Sequence, residues 1–517
     1  MSNWTDGYIA DVTYTSGYYR ETSPAWLSLA AVLLGHRPPS LAKKFRWCEL
    51  GCGQAWSTLA FAAAHPGAEF YGFDFNPGHI DNAQRIAERA GLGNVHLADT
   101  SFADLAESPK GAVPQMDFIV LHGIWSWVTP IQRANIIRFI DTHLAPGGLV
   151  YVSYNNLAGW ASMVPMQRLM KLWGELHPAG SVEAASTVMN FVKELTKSDG
   201  LFFPQNPTVA ARLETAGGMD PRYIAHEYLN GTWEPASFDS VSGAFRDARC
   251  SYVGSATLTD NIDGVAVPPG IGKMVQTITD VRLKESIRDL GAARAFRRDI
   301  YRRGSEQPVP GEHLMLMEQI VMTGLGREKE KDIQIPTGIG QVVPRPEIYG
   351  PVLERLTKGP LSFAELRNIE PLRTQPLAEV LQVVAFLATG SLAHPTPNTR
   401  IDKVSAAPAL ALNREIGLLN ERGANLPFLV SPRLGNAINV DVIEAVLLPD
   451  LVRGPPPNLE PLVQRVLAVL AQTGRSTVRD GKVITDPAEA LASMTETVAR
   501  VVKDRLPVLQ RLGILGA

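Results

Sequence analysis

Three cysteines in 517 residues, Cys48, Cys52 and Cys250, are too few for a disulfide scaffold. Cys48 and Cys52 have no second Cys or His pair nearby, so they do not read as zinc ligands. Both read as small apolar residues near a strand end, and no metal is expected. Charge of one sign is also scarce. The 49 Lys and Arg against 52 Asp and Glu leave a net charge of −3. That excludes a global field drawing the chain to nucleic acid or to an anionic membrane. No uninterrupted apolar stretch reaches the roughly 20 residues that cross a bilayer. The start, "MSNWTDGYIAD", lacks the basic-then-apolar pattern of a signal peptide. A reducing cytoplasm is the expected setting. There is no internal repeat and no long low-complexity run. What remains is 45% apolar and 20% charged, the composition of a globular protein with real cores. At ~150 residues per domain the length suggests two to four domains.

Residues 46 to 160 alternate strand-like and helix-like stretches. "RWCEL" ends at a glycine turn, and "WSTLAFAAAHPG" reads as a helix closed by Pro66 and Gly67. "EFYGFDF" is a buried strand ending in Asp74. "GHIDNAQRIAERAG" sets Ile80, Ala83, Ile86, Ala87 and Ala90 at helical spacing before Gly91. "NVHLADTSF", "MDFIVLHG" and "LVYVSYN" supply three more strands, with the helix "PIQRANIIRFIDTHLAPGG" before the last. Such alternation predicts an α/β fold with a parallel, doubly wound sheet. Residues 161–224 break the rhythm as a helical insertion. "ASFDSVSGAFRDARCSYVGSATL" then resumes it with a helix and a strand. "KEKDIQIPTGIGQVVPRP" reads as a linker. Residues 345–400 resemble a helix–turn–helix with a following wing. Its segment "PLAEVLQVVAFLATG" holds no Lys or Arg, so DNA binding is not expected. The remainder through Ala517 looks helical.

The glycine turn, "CELGCGQ", poses the question of which ligand it holds. Glycine permits positive φ and lets a ligand approach the backbone at a helix N-terminus. The dinucleotide form requires G-x-G-x-x-G, and here Trp56 stands where the third glycine belongs. Glu49, two residues before Gly51, points instead to a cationic or amine-bearing ligand. Glu49 and Asp74 are carboxylates closing buried strands, which is costly unless they are paired or bind something.

The E-x-G-x-G pattern in "ELGCG" resembles motif I of class I S-adenosylmethionine-dependent methyltransferases. Asp74 matches the family's acidic residue that takes both ribose hydroxyls. Asp99, in "ADTSF", matches the position that meets the adenine amino group. "LHGIWSW" falls where the family lines the donor pocket. "YYRETSPAWL", "VLHGIWSWVTP", "YVSYNNLAGW" and "YIAHEYLNGTWEP" narrow the resemblance to bacterial members that carry a methyltransferase regulatory domain. These are similar to protein-lysine methyltransferases of outer-membrane proteins. Two departures, "NGTW" after "HEYL" and Ala158 where proline is common, lie on the expected substrate side.

The resemblance implies a Rossmann-like core with further helical parts. Seven segments follow: a lid over 1–45, the donor-binding core 46–160, the helical insertion 161–224, and the rest of the methyltransferase and regulatory domain 225–325. A linker 326–344, a winged-helix-like unit 345–400 and a helical domain 401–517 complete the chain. The cofactor is S-adenosylmethionine, held by Tyr18, Glu49, Gly51, Gly53, Asp74, Phe75, Asp99, Thr100 and His122. The resemblance implies that Tyr18 and Tyr19, after Tyr14, form part of the lid, with a purely structural role as the alternative. Asp99 could instead cap the next turn.

Methyl transfer to an amine needs an aromatic-lined mouth that tolerates both the cationic and neutral amine. Trp125, Trp127, Tyr154 and Trp160 are expected to build it, with core packing as the competing reading of each. His122 is a candidate general base or a loop hydrogen-bonder. Asn155 and Asn156 are expected to orient the nucleophile or to shape the turn after the strand. Glu227 and Tyr228, with His226, are expected to reach the substrate amine; an inter-domain contact is the alternative. The expected function is methylation of lysine in a protein substrate, and a homodimer is compatible with it. The alternatives are a small-molecule acceptor, or a non-catalytic S-adenosylmethionine-binding regulator. No nucleic acid and no membrane are expected as partners.

Overall fold

A computed structural model describes residues 17–109, 111–177, 180–327, 332–397, 400–452, 454, 456–479 and 482–516. Its centre is a seven-stranded sheet: β1 (Arg46–Leu50), β2 (Glu69–Asp74), β3 (Val95–Asp99), β4 (Met116–Leu121), β5 (Leu144–Asn155), β6 (Cys250–Ser255) and β7 (Phe296–Arg303). The order across the sheet is β3-β2-β1-β4-β5-β7-β6. β1 to β5 pair in parallel, as strand–helix alternation requires. β7 enters antiparallel between β5 and β6, so the sheet is mixed rather than wholly parallel.

β7 was hidden by its composition. "FRRDIYRR" holds four arginines and an aspartate, yet Arg297 and Asp299 are almost fully buried. They are tolerated because they neutralise one another. Arg297 bonds Asp289 at 2.6 Å, Glu285 at 2.9 Å and Asp299 at 2.9 Å, and its guanidinium lies 4.5 Å over the Phe238 ring.

Alternate residues along each strand face opposite sides of the sheet. One side carries Trp47, Phe118, Val120, Leu149, Tyr151 and Ile300, packed with helices Pro24–Leu33 and Trp56–Ala64. The other carries Cys48, Ile119, Val150, Val152, Tyr154 and Tyr301, packed with helices Pro130–His143 and Phe238–Asp247.

After β5 the chain leaves the sheet for helices Val164–Leu176, Ser181–Lys197, Pro207–Ala216 and Pro221–Tyr228. Met163, Met166, Met170, Val188, Leu213 and Tyr228 give them a separate core. The last of these helices runs past the expected end at 224.

The segment read as a linker is packed. Ile335–Thr337 and Gly340–Val342 form an antiparallel hairpin, Ile335 is buried, and Thr259 Oγ1 donates to Pro336 O at 3.3 Å. The unit after it takes a strand from before the expected boundary. Val321–Gly324 pairs with Leu361–Ser362 and with Ala393–Pro395. Helix Leu377–Thr389 is buried along Val380 and from Val383 to Thr389, because its residues are apolar nearly all round. The C-terminal region is helical but also carries the hairpin Phe428–Ser431/Asn436–Asn439. Helix Lys403–Glu421 lies along helix Trp56–Ala64, and Gly435 O meets His65 Nε2 at 3.0 Å. No helix among the described residues is long and apolar enough to cross a membrane.

Candidate active site

The carboxyl ends of β1 to β5 open into one cavity of about 520 Å³, within the range of ordinary small-molecule sites, ~300–1,000 Å³. The glycine turn forms its floor. Gly51 (φ +70°) and Cys52 donate their N–H groups to Phe73 O at 2.8 and 3.0 Å. Gly53 (φ +53°) donates its N–H to Asp74 Oδ2 at 2.9 Å. A Cβ on Gly51 would lie 2.3 Å from Ile124 Cδ1, and its left-handed φ also favours glycine there. A Cβ on Gly53 would meet open space.

Glu49 is buried at the end of β1 and accepts a hydrogen bond from Thr58 Oγ1 at 2.6 Å. Burial pushes its carboxyl up to about 8; the Thr58 hydrogen bonds oppose this and the Asp74 charge adds to it. Asp74 Oδ1 accepts the Asn76 N–H at 3.0 Å. Two buried donors on the wall, Trp56 Nε1 and Asn155 Nδ2, have no hydrogen-bond partner among the described residues. Two carboxylates closing buried strands, a backbone turn without side chains and two free donors suit a ligand that is cationic, ribose-bearing and carboxylate-bearing. The residues fit S-adenosylmethionine.

Thr100, Ser101, Phe75 and Asp74 line the β2–β3 end of the cavity. Glu49, Gly51, Gly53 and Trp56 line its middle. His122, Trp127, Asn155, Trp160, Tyr223, Glu227, Phe296 and Arg298 line the β4–β5–β7 end. Tyr19 closes over it, its ring stacked on His122 with centroids 3.7 Å apart. His122 Nδ1 meets Tyr151 Oη at 2.8 Å. Burial and then the Arg298 charge push His122 down to about 3. It is a neutral hydrogen-bonding group near pH 7, too weak a base for the role considered for it.

Six expected site residues lie elsewhere, among them Asn156, which shapes the turn after β5 by accepting the Ala158 N–H at 3.4 Å. Tyr18 points away from the cavity and donates to Ala437 O at 2.7 Å and to Asn436; its neighbour Tyr19 is the lining residue. Asp99 is exposed at the edge strand and does not line the cavity. Trp125 packs on Phe245 beneath the sheet, with centroids 5.5 Å apart. Tyr154 donates to Asp299 Oδ2 at 2.7 Å on the far face. Strand parity sends Tyr154 opposite to Asn155. Tyr228 packs in the helical core because helix Pro221–Tyr228 turns Tyr223, His226 and Glu227, at helical spacing, toward the cavity. Tyr14 lies outside the described residues. Arg298, Tyr223, Trp56 and Ser57 were not expected. Counting back four residues from Glu227 reaches Tyr223, and the Asn155 parity carried across the β5–β7 pairing reaches Phe296 and Arg298. No group of three or more His, Cys, Asp and Glu placed to hold a metal ion occurs among the described residues.

This fold and cavity are those of a class I S-adenosylmethionine-dependent methyltransferase. Residues 48–150 match the family described as "Methyltransferase domain", and residues 220–303 match "Predicted methyltransferase regulatory domain". The second match supplies β6, β7 and the helix bearing Glu227. The uncharacterized protein sll1526 of Synechocystis sp. is 34% identical over 514 residues, covering 99% of each chain. The trans-aconitate 2-methyltransferase of Methylobacterium radiotolerans is 31% identical over 172 residues, 33% of this chain and 55% of that one. The structure of PKMT2 from Rickettsia typhi in complex with AdoHcy superposes with a TM-score of 0.67 at 18% identity, over 97% of this chain and all of that one. The chain belongs to the methyltransferase family that carries this regulatory domain.

Proposed function

We propose that this methyltransferase acts on lysine side chains of a protein substrate. The observation that carries the reading is the β4–β5–β7 end of the cavity. There the carboxylate of Glu227 stands with Tyr223, Trp127 and Trp160. An anionic group among aromatic rings suits an alkylammonium and its neutral amine. Trp160 already holds one cation, with the Arg212 guanidinium 4.0 Å over its ring. Likeness of fold to PKMT2, a protein lysine methyltransferase, supports the same substrate class.

In this reading Glu49 takes the donor's amino group and Trp56 Nε1 its carboxylate. Asp74 takes the ribose hydroxyls, and Phe75 and Thr100 flank the adenine. S-adenosylmethionine, when bound, supplies an electrophilic methyl on a sulfonium. The chain's residues do the rest. Tyr223, Trp127 and Trp160 exclude water and lower the acceptor's pKa from its usual ~10.4. Glu227 draws in the ammonium, which gives its proton to solvent before it seats, and then orients the neutral amine. Asn155 Nδ2 and the Tyr19 ring fix the line of attack.

The test is transfer of labelled methyl to a lysate split into protein and small-molecule fractions, with Asp74→Ala as blank. Label in protein bands, on lysine by mass spectrometry, is expected. Label confined to the small-molecule fraction would replace the protein acceptor with a metabolite. Donor binding without any transfer would favour a regulator.

A further inference from the structure

Tyr19 and Gly17 line the donor cavity, and the short segment that carries them is held from outside the catalytic sheet. On one side of Tyr19, Tyr18 donates to Asn436 Oδ1 and, at 2.7 Å, to Ala437 O. These partners are 418 and 419 residues away in the chain. On the other side, Arg20 reaches Ser391 Oγ and, at 3.2 Å, Thr389 O.

Asn436 is fully buried and bonds with both its amide atoms. Its Nδ2 donates to Ser23 Oγ at 2.7 Å, to Arg20 O at 3.3 Å and toward His394 Nε2 at 2.8 Å. His394 Nδ1 lies 2.8 Å from Pro395 O, so the ring donates there and leaves Nε2 as an acceptor. Both amide atoms of Asn436 and both ring nitrogens of His394 are satisfied in one geometry, and that geometry fixes residues 18–23. Thr22 Oγ1 and Tyr19 N complete the segment, bonding Tyr19 O at 2.7 Å and Ser57 Oγ at 3.3 Å.

We propose that the C-terminal hairpin and the Thr389–Ser391 turn form a clasp on a strap, residues 17–23, that gates the donor site, with Asn436, Tyr18 and Ser391 as positioning residues. The inference rests on reading the cavity as the donor site. Tyr18, Asn436 and Ser391 do not line the cavity. They act through Tyr19. A strap held shut in both the free and the bound protein governs passage rather than equilibrium. Loosening the clasp therefore raises entry and exit rates by the same factor.

The experiment is stopped-flow binding of AdoHcy to the full chain and to Tyr18→Phe and Ser391→Ala. Phenylalanine keeps the ring packed on Phe61 and Phe428 and removes only the hydroxyl. The expected result is a rise in both kon and koff of about fivefold, the size of one net hydrogen bond, with Kd within twofold. The melting temperature, measured alongside, shows that both variants fold. Unchanged rates in both variants would overturn the clasp. So would a weaker Kd from a rise in koff alone at unchanged kon, since the clasp would then shape the cavity rather than gate it. Failure of the unaltered protein to bind AdoHcy would instead sink the reading of the cavity.

Discussion

Thr58 Oγ1 donates a 2.6 Å hydrogen bond to Glu49 Oε2, the one side-chain donor on that buried carboxyl among the described residues. With Glu49 pushed up to about 8, the free protein at pH 7 holds it mostly protonated. A cationic amine arriving beside it draws that proton off. Donor affinity should therefore rise nearly tenfold per pH unit between about pH 6 and 7.5. Calorimetry in two buffers of different ionisation heat should find close to one proton released per donor at pH 7. Glu49→Gln should flatten the profile and weaken binding by ~1.5–3 kcal/mol, the loss of a charged hydrogen bond. A flat profile in the unaltered protein would mean the carboxyl is already ionised before binding.

Glu227 and His122 both line the acceptor end, and they should behave differently. Glu227→Gln should lower kcat/KM about 10- to 100-fold, the loss of a charged contact to the acceptor ammonium, and leave AdoHcy affinity within about threefold. His122→Asn should keep the rise of log kcat/KM with pH, because an imidazole titrating near 3 is not its source. Loss of that rise in His122→Asn would restore the histidine as the base.

Tyr154 offers a test of position rather than chemistry. Its hydroxyl supports Asp299 at 2.7 Å on the face away from the cavity. Tyr154→Phe should destabilise the fold by ~1–3 kcal/mol, the loss of a donor to a buried charge, read from urea midpoints. Turnover at saturating substrate should stay within twofold. A large fall in kcat at unchanged stability would put the phenol in the reaction after all.

Acid stability should be governed by three buried histidines. Burial lowers His65 to about 4, His122 to about 3 and His394 to about 4. Between pH 6.5 and 4 the unfolded chain binds protons at these positions and the folded chain does not. Stability then falls as pH falls, by ~1.4 kcal/mol per unit for each histidine. Glu49 acts in the opposite sense. Its folded value lies above the unfolded one, so it lowers stability as pH rises from about 4.5 to 8. Asp299, which burial raises to about 6, acts with Glu49 below about pH 6, and the three histidines still outweigh the two carboxyls on the acid side. Urea midpoints without donor should drop from pH 6.5 to 5, and His65→Gln should remove at least half of that net slope.

The sheet and most of the donor end were legible because short-range rules govern them. A strand closing in Glu49, a turn of two glycines and a second strand closing in Asp74 leave few geometries. Tyr18, Trp125, Tyr154 and Tyr228 failed for one physical reason: adjacent residues of an extended or helical segment face different ways. Tyr18 and Tyr19 are interchangeable in sequence, and only the clasp on Asn436 decides between them. Trp125 and Trp127 stand two apart in one turn of 3₁₀ helix and cannot share a face. β7 was illegible for a different reason. Its arginines give no apolar strand signal, and Arg297 is buried only because Glu285 and Asp289 of helix Val281–Gly291 neutralise it.

The pairing of β5 with β7 also bears on how the protein is made. A growing chain finishes β5 long before β7 leaves the ribosome, with the helical insertion and β6 in between. Through that interval β5 presents an unpaired ladder from Leu149 to Asn155, and apolar Val150 and Val152 flank it. Such an edge invites pairing with neighbouring nascent chains. A fragment stopping at residue 160 would keep that edge permanently and should precipitate, whereas one extended through residue 303 covers it. Synthesis of this enzyme thus contains a vulnerable stage that ends only when a strand rich in arginine seals the sheet.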